Sequence, residues 1–132
     1  YLPMATKTST YGKRRIASQL PLFPGYLFFF GTEDERFQTL KTNRISRILP
    51  VPTQDKLARD LRQLANLIAT GAPLTIEQRL TPCQKVRIRN GPMAGFEGTI
   101  VQRRGSNRLL IAVSFLQQGV SVEINDFMVD AI

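Results

Sequence analysis

The chain contains no histidine and a single cysteine, Cys83. Those shortages exclude Ser–His and Cys–His nucleophilic pairs and any imidazole general base. One thiol forms no internal disulfide and holds no metal alone. The ten Asp and Glu residues do not group at metal-ligand spacing. Their tightest group, Glu33, Asp34 and Glu35, suits the solvated first turn of a helix. No apolar run approaches the roughly 20 residues that span a bilayer, and the longest, Tyr26 to Phe30, is strand-sized. No secretory leader pattern opens the chain. A lone thiol fits a reducing, cytoplasmic setting. Internal repeats and low-complexity tracts are absent too. With no nucleophile, base or metal constellation, neither an enzyme nor a cofactor is expected.

What is present is enough for a packed core. The chain has 132 residues, of which 42% are apolar, sufficient for one ordinary domain or two small ones. It opens on Tyr1, so further chain upstream is expected. Eighteen Lys and Arg against ten Asp and Glu give a net charge of +8. That balance favours polyanions, whether nucleic acid, acidic protein surfaces or anionic lipid, although it also simply keeps a basic protein soluble.

The first 20 residues carry no acid. Tyr1-Leu2-Pro3-Met4 reads as a strand end, and Lys7, Lys13, Arg14 and Arg15 surround Gly12 as at the tip of a β-hairpin. Such a tip is either a nucleic-acid probe or a solvated loop. The run Pro21-Leu22-Phe23-Pro24-Gly25-Tyr26-Leu27-Phe28-Phe29-Phe30 is β-prone, with Pro and Gly only at its entrance. As a strand it presents Tyr26, Phe28 and Phe30 on one face and Leu27 and Phe29 on the other, the latter pair toward the core. A strand apolar on both faces is buried twice over or leaves one face for a partner.

Thr32 and Glu35 are spaced as a capping box for a helix ending near Asn43, with Phe37 and Leu40 as its apolar contacts. Ile45, Ile48 and Leu49 suggest a short strand. Thr53 is placed to cap a second helix over Gln54 to Thr70, where Leu57, Leu61, Leu64 and Ile68 form an apolar stripe. Gly71 ends it, and residues 71–82, with Gly and two Pro, read as a linker.

From Cys83 the period becomes two. Val86 and Ile88 alternate with Arg87 and Arg89, Asn90 to Gly95 form a turn, and Gly98 to Val101, Leu109 to Phe115, Val120 to Ile124 and Phe127 to Val129 read as short strands. Five strands in so short a segment predict a small closed barrel of the SH3 kind. The many β-branched residues oppose refolding to helix.

Lys85 to Val113, KVRIRNGPMAGFEGTIVQRRGSNRLLIAV, resembles the KOW motif of translation proteins and transcription elongation factors. Gly91, Pro92 and Gly95 make its turn, Gly98 allows close backbone approach, and Phe96 plugs the barrel. Pro21 to Phe28 resembles the central strand of the amino-terminal (NGN) domain of the NusG family. The order of strand end, basic hairpin, LFPGYLF segment, helix, Thr-Asn-Arg-Ile-Ser-Arg-Ile segment, helix, linker and KOW barrel is the NusG order throughout. The long second helix resembles that of RfaH-like specialised paralogs. The family has one more strand and helix ahead of the position of Tyr1.

The resemblance implies an α+β protein with an NGN-like antiparallel sheet and helices over 1–70, a linker over 71–82 and a KOW barrel over 83–132. It implies a monomeric, non-enzymatic bacterial elongation or antitermination factor that binds the clamp helices of the largest RNA polymerase subunit. The apolar patch carried onto this chain is Phe23, Pro24, Tyr26 and Phe28. The barrel would recruit a small-subunit ribosomal protein or the termination factor Rho. Weak nucleic-acid contact would fall to Lys13, Arg14, Arg15, Arg87 and Arg89, with Arg103, Arg104 and Arg108 nearby. A KOW-type RNA-binding protein of ribosomal kind is the alternative; it explains the charge and the barrel but not the LFPGYLF segment.

Overall fold

The computed structural model describes residues 1–12, 14–80, 84–124 and 129–132, and of residues 7–11 and 15–17 the backbone alone. It is an α+β chain. Strands β1 (Met4–Tyr11) and β2 (Arg14–Pro21) form an antiparallel hairpin, with Met4 opposite Pro21 and Tyr11 opposite Arg14. Gly12 takes the left-handed backbone (φ +60°) that so tight a reversal needs. Helices α1 (Glu33–Leu40) and α2 (Gln54–Ala69) follow. Strands β3 (Leu74–Glu77), β4 (Lys85–Ile88), β5 (Glu97–Arg103), β6 (Ser106–Val113), β7 (Gln118–Glu123) and β8 (Val129–Ala131) complete the chain.

These last six strands make one antiparallel sheet in the order β3-β7-β6-β5-β4-β8. The ladder does not close among the described residues, because β3 and β8 stand at opposite ends of it. The expected closed barrel is therefore corrected to an open sheet. The reason is β3: its four residues come from the segment read as a linker, and Leu74 to Glu77 pair with Val122 to Gly119, filling an edge of β7. The outermost expected strand, from Phe127, begins at Val129 among the described residues; Phe127 itself, like Cys83, lies outside them.

The apolar stripe of α2 meets this sheet. Leu64 and Leu67 are fully buried and share one cluster with Ile88, Leu109, Ile111, Val113, Val120 and Val122. Each such leucine contributes about 1.5–3 kcal/mol by leaving water. Leu22 and Phe23, just past β2, belong to the same cluster. Thr53 precedes α2 without a side-chain cap bond, contrary to expectation, and its carbonyl accepts from the Leu57 amide instead.

Between Phe23 and α2 the chain packs little. Thr32 Oγ1 accepts from the Glu35 amide at 3.2 Å while Glu35 Oε1 accepts from the Thr32 amide, the reciprocal box the spacing predicts. Yet α1 buries no residue, ends at Leu40 before Asn43, and leaves Phe37 and Leu40 exposed rather than in a core. Residues 26–30 and 45–49 are not strands. Among the described residues neither segment has a neighbouring strand to satisfy its backbone, and β propensity alone does not supply one. The aromatic segment is held at two points: the Tyr26 amide donates to the Phe23 carbonyl, and Phe28 exchanges backbone bonds with Tyr1 through both its amide and its carbonyl.

Candidate functional site

The aromatic segment divides by burial. Phe23 is 1% exposed and meets Phe28 edge-on, with ring centroids 6.3 Å apart. Phe28 is half-buried against the core, whereas Pro24 and Tyr26 lie at the surface. Leu27 and Phe29, expected to face inward, are 63% and 52% exposed, and Phe30 is 95% exposed. Without a strand there is no alternation to turn them inward. Of the four expected docking residues, then, Phe23 is core, Phe28 supports it, and Pro24 and Tyr26 are available. Phe30, from the same expected face as Tyr26, joins them, as do Leu27 and Phe29, which period-two reasoning turned toward the core.

Between β4 and β5 the chain makes a tight turn over 89–96. Gly91 and Gly95 hold φ of +85° and +92°, a backbone region that side chains resist. The Gly95 amide donates to the Ile88 carbonyl and the Ala94 amide to that of Gly91. Pro92 sits exposed on this turn, and Phe96 packs half-buried against the core. At Gly98 a Cβ would lie 2.3 Å from the Leu110 carbonyl oxygen, so β5 and β6 approach as closely as they do only with glycine there.

The arginines expected to touch nucleic acid are largely committed within the protein. Arg87 Nε donates to Glu97 Oε1 at 2.9 Å, across the β4–β5 pair. Arg89 forks onto the Asp130 carboxylate, Nε donating at 3.3 Å. That hydrogen bond and the Asp130 charge raise the Arg89 guanidinium above its ordinary value. Arg108 donates to the Ser121 hydroxyl and carbonyl and to Thr75 Oγ1. Ser121 Oγ, fully buried, donates to Glu77 Oε1 at 2.8 Å, and Arg103 lies 3.6 Å from the same oxygen. This network fastens β3 to the sheet. Arg14 and Arg104 are exposed; Lys13 lies outside the described residues, and of Arg15 only the backbone is described.

A second feature lies where β5 and β6 stop pairing. Their register runs from Arg103–Ser106 to Thr99–Leu110 and ends. Two positions further on, the Gln63 carboxamide of α2 replaces a strand: Oε1 accepts from the Glu97 amide at 2.7 Å and Nε2 donates to the Glu97 carbonyl at 3.0 Å. Asp60 Oδ2 likewise accepts from the Ser114 amide at 3.2 Å. A cavity of about 320 Å³ opens here between helix and sheet, with Lys56, Arg59, Asp60, Gln63, Lys85 and Thr99 among its walls. Sequence reasoning stopped at the apolar stripe of α2 and missed its polar one, although Lys56, Asp60 and Gln63 stand at i, i+4 and i+7 and so share a face.

No family model, curated protein or solved structure matches this chain.

Among the described residues no three of His, Cys, Asp and Glu gather as a metal site, and no helix is long and apolar enough to cross a membrane. What the surfaces offer is chemistry of recognition: an uncovered aromatic segment, a glycine-built turn between β4 and β5, and a helix–sheet cavity with cations on its walls.

Proposed function

We propose that this protein is a non-catalytic transcription elongation or antitermination factor of NusG type, probing RNA polymerase with the aromatic segment that follows β2. The observation that carries the reading is the uncovered run from Tyr26 to Phe30, in which Tyr26, Leu27, Phe29 and Phe30 are all exposed. Large apolar side chains gathered in one short segment are what a protein partner covers, and aromatic anchors dominate binding energy when it does. The buried Phe23 and half-buried Phe28 hold the base of that segment against the core. The clamp helices of the largest polymerase subunit are the expected partner. The carboxy-terminal sheet, which resembles a KOW domain in sequence, would take a second protein partner, a small-subunit ribosomal protein or Rho.

Retention on purified core RNA polymerase tests it. Tyr26→Ala combined with Phe30→Ala leaves the core untouched, because both side chains are at the surface. It is expected to weaken retention at least about tenfold, the effect of losing one or two anchor residues. Wild-type protein that is not retained, or a variant retained equally well, refutes the docking assignment. The ribosomal-type RNA-binding reading has one observation in its favour: Lys56, Arg59, Lys85 and Arg104 make no ion pair among the described residues. It requires binding to RNA in the absence of polymerase.

A further inference from the structure

We infer that the cavity between α2 and the β5–β6 end of the sheet is a binding site for a phosphate chain. Three cations stand on its walls, Lys56 and Arg59 from α2 and Lys85 from β4. None of the three side chains has a hydrogen-bonding or ionic partner among the described residues. Of the two carboxylates on the same walls, Glu97 is held by Arg87, while Asp60 accepts from the Ser114 amide and keeps its charge, so it offsets only one of the three cations. The cavity therefore keeps a surplus of positive charge that its own walls do not neutralise.

The chemistry of the ligand follows from the arrangement. Three cations reaching in from two different elements need several anionic oxygens spread over more than one centre. A single carboxylate offers two oxygens on one carbon, whereas a phosphate chain offers two or three around each phosphorus. A volume of about 320 Å³ is at the small end of ligand-sized pockets and suits the phosphates of one nucleotide. Thr99, half-buried in the wall, adds a hydroxyl that both donates and accepts. The Gln63 carboxamide, bonded on both its atoms to the Glu97 backbone, keeps the helix wall at a fixed distance from the sheet. A free nucleoside triphosphate and a single-stranded RNA share this phosphate chemistry. This inference stands apart from polymerase docking, since it uses none of the aromatic residues.

The test titrates the full chain with inorganic tripolyphosphate, with a nucleoside triphosphate and with a fluorescent oligouridylate, at several salt concentrations. Lys56→Gln with Arg59→Gln is compared with Arg44→Gln with Arg47→Gln, an exposed pair of the same charge outside the cavity. The cavity pair is expected to weaken binding at least about tenfold, and on the oligonucleotide to flatten the log-affinity salt slope by about 1.4, the effect of two lost contacts to a single strand. The control pair is expected to change affinity less than about twofold. Tight binding of tripolyphosphate and nucleotide assigns a free nucleotide; tight binding of the oligonucleotide alone assigns a strand. The inference is overturned if no probe binds the wild type, or if both pairs weaken binding alike. Circular dichroism of both variants establishes that the helix and sheet persist.

Discussion

Gly98→Ala is the sharpest test of how the sheet is built. A methyl at this position would sit 2.3 Å from the Leu110 carbonyl oxygen and 3.1 Å from a methyl of Leu109. The first contact is with backbone, which no side-chain rotation relieves, so β5 must move off β6. Overpacking of this kind costs about 1–3 kcal/mol. Loosening the adjacent Thr99–Leu110 pair adds about 1 kcal/mol for a weakened hydrogen bond. The reduced freedom of the unfolded chain returns about 0.4–1 kcal/mol. The net expectation is a loss of about 1–3 kcal/mol, or roughly 3–12 °C in Tm for a chain of this size. The informative control is Gly91→Ala. There φ is +85° and nothing lies within 4 Å of a new Cβ, so only backbone strain of about 1 kcal/mol applies. Urea denaturation followed by circular dichroism gives both values. If Gly98→Ala proves no more damaging than Gly91→Ala, close approach of β5 and β6 is not what requires glycine.

Two further substitutions probe how the helix and the first strand of the sheet are attached. Gln63→Leu keeps the volume near the cavity but strands the Glu97 amide and carbonyl, and is expected to lower the urea midpoint by an amount equivalent to about 1–3 kcal/mol; an unchanged midpoint would show that water replaces the carboxamide without loss. Ser121→Ala removes a fully buried hydroxyl that bridges Arg108 and Glu77. It is expected to cost about 1–3 kcal/mol and to speed amide hydrogen exchange in β3 more than in β6, and equal rates in the two strands would contradict the fastening role of that network.

Local signals were legible in the sequence. The Thr32–Glu35 box, the apolar stripe of α2, the hairpin reversal at Gly12 and the period-two strands from Lys85 each depend on residues a few positions apart, and each forms. What escaped depends on distant partners. Leu74–Glu77 becomes a strand only because β7 offers it an edge more than 40 residues away. The fate of the aromatic run could not be read from composition, since rings alternate to no purpose where no strand lies alongside. Phe23 is buried and Phe30 exposed because the core reaches one and not the other. Likewise Arg89 and Asp130, separated by 41 positions, reveal their pairing only once β4 and β8 lie side by side. The aromatic segment was thus marked as a candidate from sequence, while the division of labour within it was not.

The placement of α2 bears on how the protein can be dissected. Its leucines seal one face of the sheet, and β3 supplies an edge that the polar network of Ser121 and Glu77 holds shut. A piece cut to start after residue 82 would lose both at once, baring Leu109, Ile111 and Val120 to water and inviting self-association. A carboxy-terminal fragment must therefore begin no later than the start of the long helix, near Thr53, so that lid and edge travel with the strands they cover, and even then it forgoes Leu22 and Phe23 from the shared cluster.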